Sequence, residues 1–584
     1  MYPIFNTCDF RAPHNLSPEA LFTSVHDRIH GPGPRPVDWQ QAIVAQAEEF
    51  VAAFQPREIH VSFSTDSLLH YLSVINTKIT NLDRNKDVTR TWRAIRSTGD
   101  PTETASGNTI SIFLATSSQF DPRKRKDWNA VLVIGQLNDD SVSYGHGLID
   151  LADLATGVFA CQPTRSFLHG LYIRGHRAEH WSFDRSGLYC RATFDLSIEV
   201  EWSRFLGQVY AWSLLSDNDL GRSSLSHVQL LHEIFPAELE VQQMPFTIKH
   251  TLVGAGTACF LARKKPHGRW DHAVKIKWCW SGGRPEEEML ILAKKNNVQG
   301  VVSLEHFHKF DSTNTEDLRG GHFCGNYRSL SADKGPSLDP NYTDRWKILQ
   351  HTEESRDRFE LRTLNCFVLY PAGRPLRTFK SARELLVVLR DVLMAHRSLF
   401  KDARIIHQDI SADNIIIVDP DEDELGHVKG MLIDLDVALP IDKGPRTPHE
   451  VTGTQPFMAV DILKERPRTY RHDLESFFYV LLWVLIADGN EEPPPSSILY
   501  GWDNSSWEVT AASKLHYVAK ENFGAILEEV PLRFRMLIPL IESLRAMLFP
   551  GMEEGSICIV TTSVAADALH QGMLDAFDLS IDGA

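Results

Sequence analysis

Basic charge is in short supply. Lys and Arg number 60 against 76 Asp and Glu, giving a net charge of −16 and a pI near 5.9. Dedicated nucleic-acid and membrane-surface proteins carry the opposite balance, so neither partner is expected. A long apolar run is missing too. The longest, Phe477–Ala487, is too short to cross a bilayer and suits a buried core helix. The eight cysteines (Cys8, Cys161, Cys190, Cys259, Cys279, Cys324, Cys366, Cys558) include no C-x-x-C. That argues against a zinc or disulfide framework and for buried thiols in a reducing compartment. The opening MYPIFNTCDFRAPHN has no basic end followed by an apolar run, so no secretory signal is expected. These absences predict an intracellular protein, cytoplasmic or nuclear.

What is present is length and apolar content. The 584 residues exceed a single domain, and 43% apolar residues support ordinary cores. Residues 1–38, rich in Pro, His and Asp, read as loosely ordered. Trp39–Phe54 has apolar residues at helical spacing. Leu82–Gly107 is polar and reads as an exposed excursion. Strands are expected at Thr109–Leu114, Ala130–Ile134 and Phe167–Ile173, with helices at Gly147–Ala160 and Glu199–Leu215. Residues 39–235 thus form a mixed α/β domain of unknown ligand. Its element order resembles the restriction-endonuclease-like fold, whose metal site needs (D/E)-x-K. Here Gln136 and Asn138 stand in the matching strand, so nuclease chemistry is not expected.

The chemistry is concentrated in Ile405–Ala438. Asp409 and Asn414 have the spacing D-x-x-x-x-N, and Asp434 ends a second apolar strand. Any one of these acids could be a solvated strand cap. The ordered set of His407, Asp409, Asn414 and Asp434 is what phosphoryl transfer needs: one carboxylate to orient the attacking hydroxyl, and an Asn and an Asp to hold magnesium on ATP. Upstream, Val253-Gly254-Ala255-Gly256-Thr257 is a glycine loop whose backbone N–H groups can approach phosphates, although Cys259 replaces the third glycine. Ala273-Val274-Lys275 follows on a strand and brings a lysine to the phosphates; Lys277, on the same strand face, is the alternative. The helix Pro285–Lys295 offers a glutamate to pair with that lysine. Glu288 lies on the side of Ile291 and Leu292, and Glu287 is the alternative. Residues 306–360 read as a long insertion. Strand Cys366–Tyr370 runs into a Pro/Gly hinge, and Ser381-Ala382-Arg383-Glu384 reads as a capping box. Residues 488–584 show no recognisable chemistry.

Residues 250–550 resemble the eukaryotic protein kinases, and most closely the fungal-specific protein kinase family. The phrases that carry this are Gly254–Thr257, Gly373–Leu376, Asp409–Ser411, Leu432–Asp436, Thr452–Thr454 and His472–Ser476, with Cys161–Arg165 upstream. The resemblance implies an α+β fold: a bilobal protein-kinase-like catalytic domain preceded by a separate mixed α/β N-terminal domain. The kinase-like part would cover 245–550, with a small lobe at about 245–370, a large lobe at about 371–550 and a C-terminal extension at 551–584. It implies Asp409 as catalytic base, Asp434 and Asn414 as magnesium ligands, and Lys275 paired with Glu288. Leu261, Ala273 and Ile416 would bracket adenine, Asp461 would close the activation segment, and Thr454 would bond to Asp409. ATP and Mg2+ are the implied cofactors, and a protein serine or threonine the implied substrate.

Three residues depart from the kinase pattern. Gln408 replaces the catalytic-loop arginine, Ser411 a phosphate-contacting lysine, and Asp436 the glycine of the activation segment. None deletes a metal ligand. A pseudokinase acting as nucleotide-binding scaffold and a small-molecule kinase are the competing readings.

Overall fold

The computed structural model describes residues 65–82, 90–96, 110–116, 121, 123–138, 142–223, 234, 239–249, 251–264, 268–283, 285–315, 361–419, 428–443, 452–503, 506–550 and 563–583. The helix expected at Trp39–Phe54, the loosely ordered N-terminus and most of the 306–360 insertion lie outside these residues. The chain divides into two compact units. One comprises Met1–Phe260, Lys275–Gly282 and His308–Cys366; the other comprises Leu261–Val274, Gly283–Phe307 and Phe367–Ala584.

The first unit holds helix α1 (Thr65–Leu82) and strands β1 (Thr91–Arg96), β2 (Ile110–Ala115) and β3 (Val131–Asn138). Helix α2 (Tyr144–Cys161) connects β3 to β4 (Phe167–Arg174), followed by β5 (Arg177–Asp184), β6 (Gly187–Asp195) and α3 (Glu199–Leu214). The six strands bond in chain order, with β3–β4 the parallel pair and the others antiparallel. A parallel pair needs a long crossover, which α2 supplies. Every residue of β3 is buried, as a strand covered on both faces requires. One face carries Leu68, Trp202 and Phe205 from α1 and α3; the other carries Leu151, Val158 and Phe159 from α2.

One sequence expectation is corrected here, and one element is added. Leu82–Gly107 is not wholly an exposed excursion: β1 lies within it and buries Trp92. The β5–β6 hairpin, absent from the sequence reading, extends the sheet. The phrase Cys161–Arg165 proves structural. Arg165 is fully buried and donates to the carbonyls of Val131, Leu132, Phe167 and Leu220 and to Gln162 Oε1. Burial pushes its guanidinium down to about 9.

A second sheet is built from β7 (Leu239–Val241), β8 (Thr247–Ile248), β9 (Ala258–Lys264), β10 (His272–Trp280), β11 (Ser303–Asn314) and β12 (Arg362–Tyr370), in the order β11-β12-β10-β9-β7 with β8 on β9. Helix α4 (Glu286–Lys295) lies between β10 and β11 in the chain. The expected insertion therefore starts later than residue 306, because β11 runs through to Asn314.

The second unit contains short strands β13 (Arg374–Pro375), β14 (Ile405–Ile406), β15 (Ile415–Ile417), β16 (Gly430–Leu432) and β17 (Leu439–Pro440). Its later helices are α5 (Ala382–Lys401), α6 (Val460–Leu463), α7 (Tyr470–Ala487), α8 (Tyr500–Asp503), α9 (Trp507–Val518), α10 (Gly524–Glu529), α11 (Ile538–Leu548) and α12 (Ser563–Asp582). The capping box at Ser381 is half realised. Ser381 Oγ accepts from Glu384 N, but Glu384 accepts from Lys380 N and from Arg374. Helix α7 is buried on all sides, as its composition requires. Among the described residues no helix is long and apolar enough to cross a membrane.

Candidate active site

Two short pairings, β14 with β17 and β15 with β16, draw the catalytic stretch together. The hairpin β15–β16 pairs Ile415 with Leu432, and Ile433 N donates to Asn414 O at 3.0 Å. Asn414 is therefore tied to the backbone next to Asp434. Its Nδ2 donates to Asp409 O at 2.9 Å and to Asp409 Oδ2 at 3.0 Å. The other carboxylate oxygen, Oδ1, accepts from Thr454 N at 2.9 Å and Thr454 Oγ1 at 2.7 Å. Three donor groups thus fix the Asp409 side chain. Asp434 has φ of +66°, a left-handed conformation rare for a non-glycine residue and found at functional turns.

The loop itself hangs on α7. Asp473 Oδ2 accepts from His407 N at 2.9 Å and Gln408 N at 3.2 Å. Asp409 N donates to His407 Nδ1, so the proton on this ring is at Nε2, donated to Ile433 O at 3.1 Å. Burial pushes the His407 imidazole below its ordinary range. Burial alone would raise the Asp473 carboxyl. The hydrogen bond from His396 and the charges of His396 and Arg468 outweigh it and hold the carboxyl low.

Behind Asp473 a chain of contacts runs to α12. Ala566 O meets His570 Nδ1 at 2.7 Å, His570 Nε2 meets His396 Nδ1 at 3.0 Å, and His396 Nε2 meets Asp473 Oδ2 at 3.2 Å. Burial pushes the His570 imidazole down to about 3.

Two further cations hold the segment around Thr454. Arg468 donates to Gln408 O and to Thr452 O, joining the catalytic loop to Thr452. Buried Lys514 of α9 donates to Pro456 O at 2.9 Å and Met458 O at 2.7 Å, under the rings of Tyr479 and Trp502. Burial pushes its ammonium down to about 7. Sequence reasoning missed Arg468, His396, His570 and Lys514. None stands in a motif, and each acts on backbone or on another buried side chain. Residues 488–584 therefore contribute to the site's support.

Asp461 is buried and pairs with Arg466 at 3.2 Å; its Oδ2 lies 3.9 Å from His472 Nε2, beyond hydrogen-bond distance.

The remaining predicted residues lie on the second sheet, α4 and β15. Val253, Gly254 and Gly256 occupy the loop between β8 and β9, with φ of +107° at Gly254 and +51° at Gly256. Lys275 and Lys277 share one face of β10 and are 6% and 1% exposed, so burial alone does not choose between them. Leu261 and Ala273 are half-buried on neighbouring strands β9 and β10, and Ile416 lies in β15. In the hinge, Ala372 N donates to Asp271 O at 2.6 Å.

Glu288 is a correction. The buried side of α4 is Glu286, Met289, Leu290 and Ala293, whereas Glu288 is exposed and Ile291 is 55% exposed. The sequence reading aligned Glu288 with Ile291 and Leu292. In a helix this short, the stripe three and four residues on from Glu286 wins instead.

No curated protein matches the chain. A family model described as fungal protein kinase matches residues 109–485, nearly two-thirds of the 584 residues, from the start of β2 to the end of α7. That span takes in β2–β6 of the N-terminal sheet as well as the Asp409–Asp434 stretch, and with it the chain belongs to the fungal protein kinase family.

Proposed function

We propose that the chain is an ATP- and magnesium-dependent protein kinase that transfers the γ-phosphoryl group to a serine or threonine hydroxyl of a protein substrate. The observation that carries this reading is the Asp409 carboxylate, gripped by Asn414 and Thr454 beside the strand end that bears Asp434. In this reading Asp409 orients the substrate hydroxyl and takes its proton.

Asn414 and Asp434 supply oxygen donors, which suit a hard divalent cation. The Nδ2 hydrogens of Asn414 go to Asp409, leaving Oδ1 as the acceptor for that cation. Magnesium, when bound with ATP, supplies neutralisation of the charge on the transferring group. Two protein ligands suffice, because magnesium takes its other oxygens from water and phosphates. Lys275 holds the phosphates. Val253, Gly254 and Gly256 shape the phosphate loop, and Leu261, Ala273 and Ile416 bracket adenine. The same reading makes residues 245–370 a small lobe and 371–550 a large lobe, preceded by the mixed α/β domain of 39–235.

The test is transfer of labelled phosphate from ATP to a peptide library by the purified chain, with and without magnesium. Phosphoserine or phosphothreonine products that vanish without magnesium are the expected result. Nucleotide binding with no transfer to any peptide would instead support the scaffold reading.

A further inference from the structure

The turn between β5 and β6 bears on the glycine loop. At its centre is Arg185, buried to 1% exposure. Arg185 O accepts from Gly254 N at 2.9 Å. Its guanidinium donates to Thr251 O at 2.6 Å and Leu252 O at 3.3 Å on one side, and to Phe159 O at 3.3 Å on the other. The Phe159 ring covers it, with Cζ 4.6 Å from the centroid. A side chain at Gly256 would meet this group head-on, because an added Cβ would lie 2.3 Å from Arg185 Cζ. On its far side the same loop is tied to the strand of Lys275, since Trp278 N donates to Ala255 O at 2.7 Å.

Two features set Arg185 apart from an ordinary buried staple. Arg165, on the same sheet, has an acceptor for each of its nitrogens, whereas Arg185 Nε is buried without one. Arg185 is held by carbonyls and an aromatic face rather than by a carboxylate, and the neighbouring charge it feels is that of Arg362. Burying an uncompensated cation is costly, so the site must gain from it elsewhere. What it touches is the backbone from Thr251 to Gly256, on both the carbonyl and the N–H side.

We propose that Arg185 is a positioning residue for nucleotide binding: the N-terminal module, through the β5–β6 turn, fixes the shape of the phosphate-binding glycine loop. The proposal rests on the reading of Val253–Thr257 as that loop. It gives the N-terminal sheet a role in the reaction without requiring a ligand of its own.

The test separates phosphate from adenine. Binding of Mg–ATP, Mg–ADP and adenosine is measured by calorimetry for the full chain, for Arg185→Met and for Arg185→Lys. Removing hydrogen bonds to a charged donor should weaken ATP and ADP about ten-fold in Arg185→Met, while adenosine changes less than about two-fold. Arg185→Lys keeps the charge but not the fork and should lose about three-fold for ATP. Should Arg185→Met fail to fold by circular dichroism, Arg185→Lys decides. Unchanged ATP affinity in the folded variants, tighter ATP binding, or an equal loss for adenosine would each overturn the proposal. A wild-type chain that binds none of the three would overturn the nucleotide reading itself, and this inference with it. The two failures are distinguishable because only the second appears without any substitution.

Discussion

The catalytic loop and the glycine loop are both short turns between apolar strands, but they are held in different ways. At Asp409 the carboxylate itself is gripped by Asn414 and Thr454, with Arg468 and Asp473 on the backbone beside it. The glycine loop is held through its backbone alone by Arg185, which lies in an upstream hairpin turn. The first arrangement orients a carboxylate, so its parts must be acids, amides and hydroxyls at set spacings. The second shapes backbone through a forked donor, which must reach carbonyls but need stand in no motif. Chemistry therefore leaves a written pattern, and positioning does not.

The largest effect should come from the carboxylates. Asp434→Asn is expected to lower phosphoryl transfer by a factor of about 10³ or more, through loss of the main cation ligand. Thermal melting should be unchanged, since the change removes a ligand rather than packing. Appreciable activity in this variant would show that the catalytic stretch had been misread.

Next come the two lysines of β10. Lys275→Met should cost about 10²-fold in kcat/KM, and Lys277→Met less than about ten-fold. Both are buried, so comparing the activity of folded protein is essential. Equal or reversed losses would move the phosphate contact to Lys277.

A smaller effect is expected from the segment around Thr452. Arg468 already bonds both Gln408 O and Thr452 O, and neutral Gln408 offers no charge-assisted pair to a phosphate. Activity should survive phosphatase treatment, whereas Arg468→Met should lose about ten-fold, near 1.4 kcal/mol of barrier. Loss of activity after dephosphorylation, restored by rephosphorylation, would reverse this picture.

The smallest is a slope in stability. Lys514 releases its proton near pH 7 in the folded chain and near 10.5 when unfolded. Below pH 7 both states carry the proton and the cost of burying it is fully present. Between these values only the unfolded state carries it, so this group's contribution to stability rises with pH, by at most about 1.4 kcal/mol per unit. Urea unfolding at pH 7 and pH 9 should show the wild type gaining stability relative to Lys514→Met. Parallel curves would mean that Lys514 keeps its charge.

Sequence alone singled out the Asp409–Asn414–Asp434 set, the buried helix α7 and three of the six strands of the first sheet. Alternation, caps and D-x-x-x-x-N spacing are local properties of the chain. The bond from Thr454 to Asp409 followed from resemblance and is present in the fold. Tertiary structure alone decided which face of α4 is buried, and so removed Glu288 from the inner side. It alone joined His570 to His396 and Asp473, Lys514 to the carbonyls after Thr454, and Arg185 to the glycine loop. Each of these is a contact to backbone or to a distant buried group. Such contacts depend on where the chain passes in space, and no spacing within a single segment encodes them.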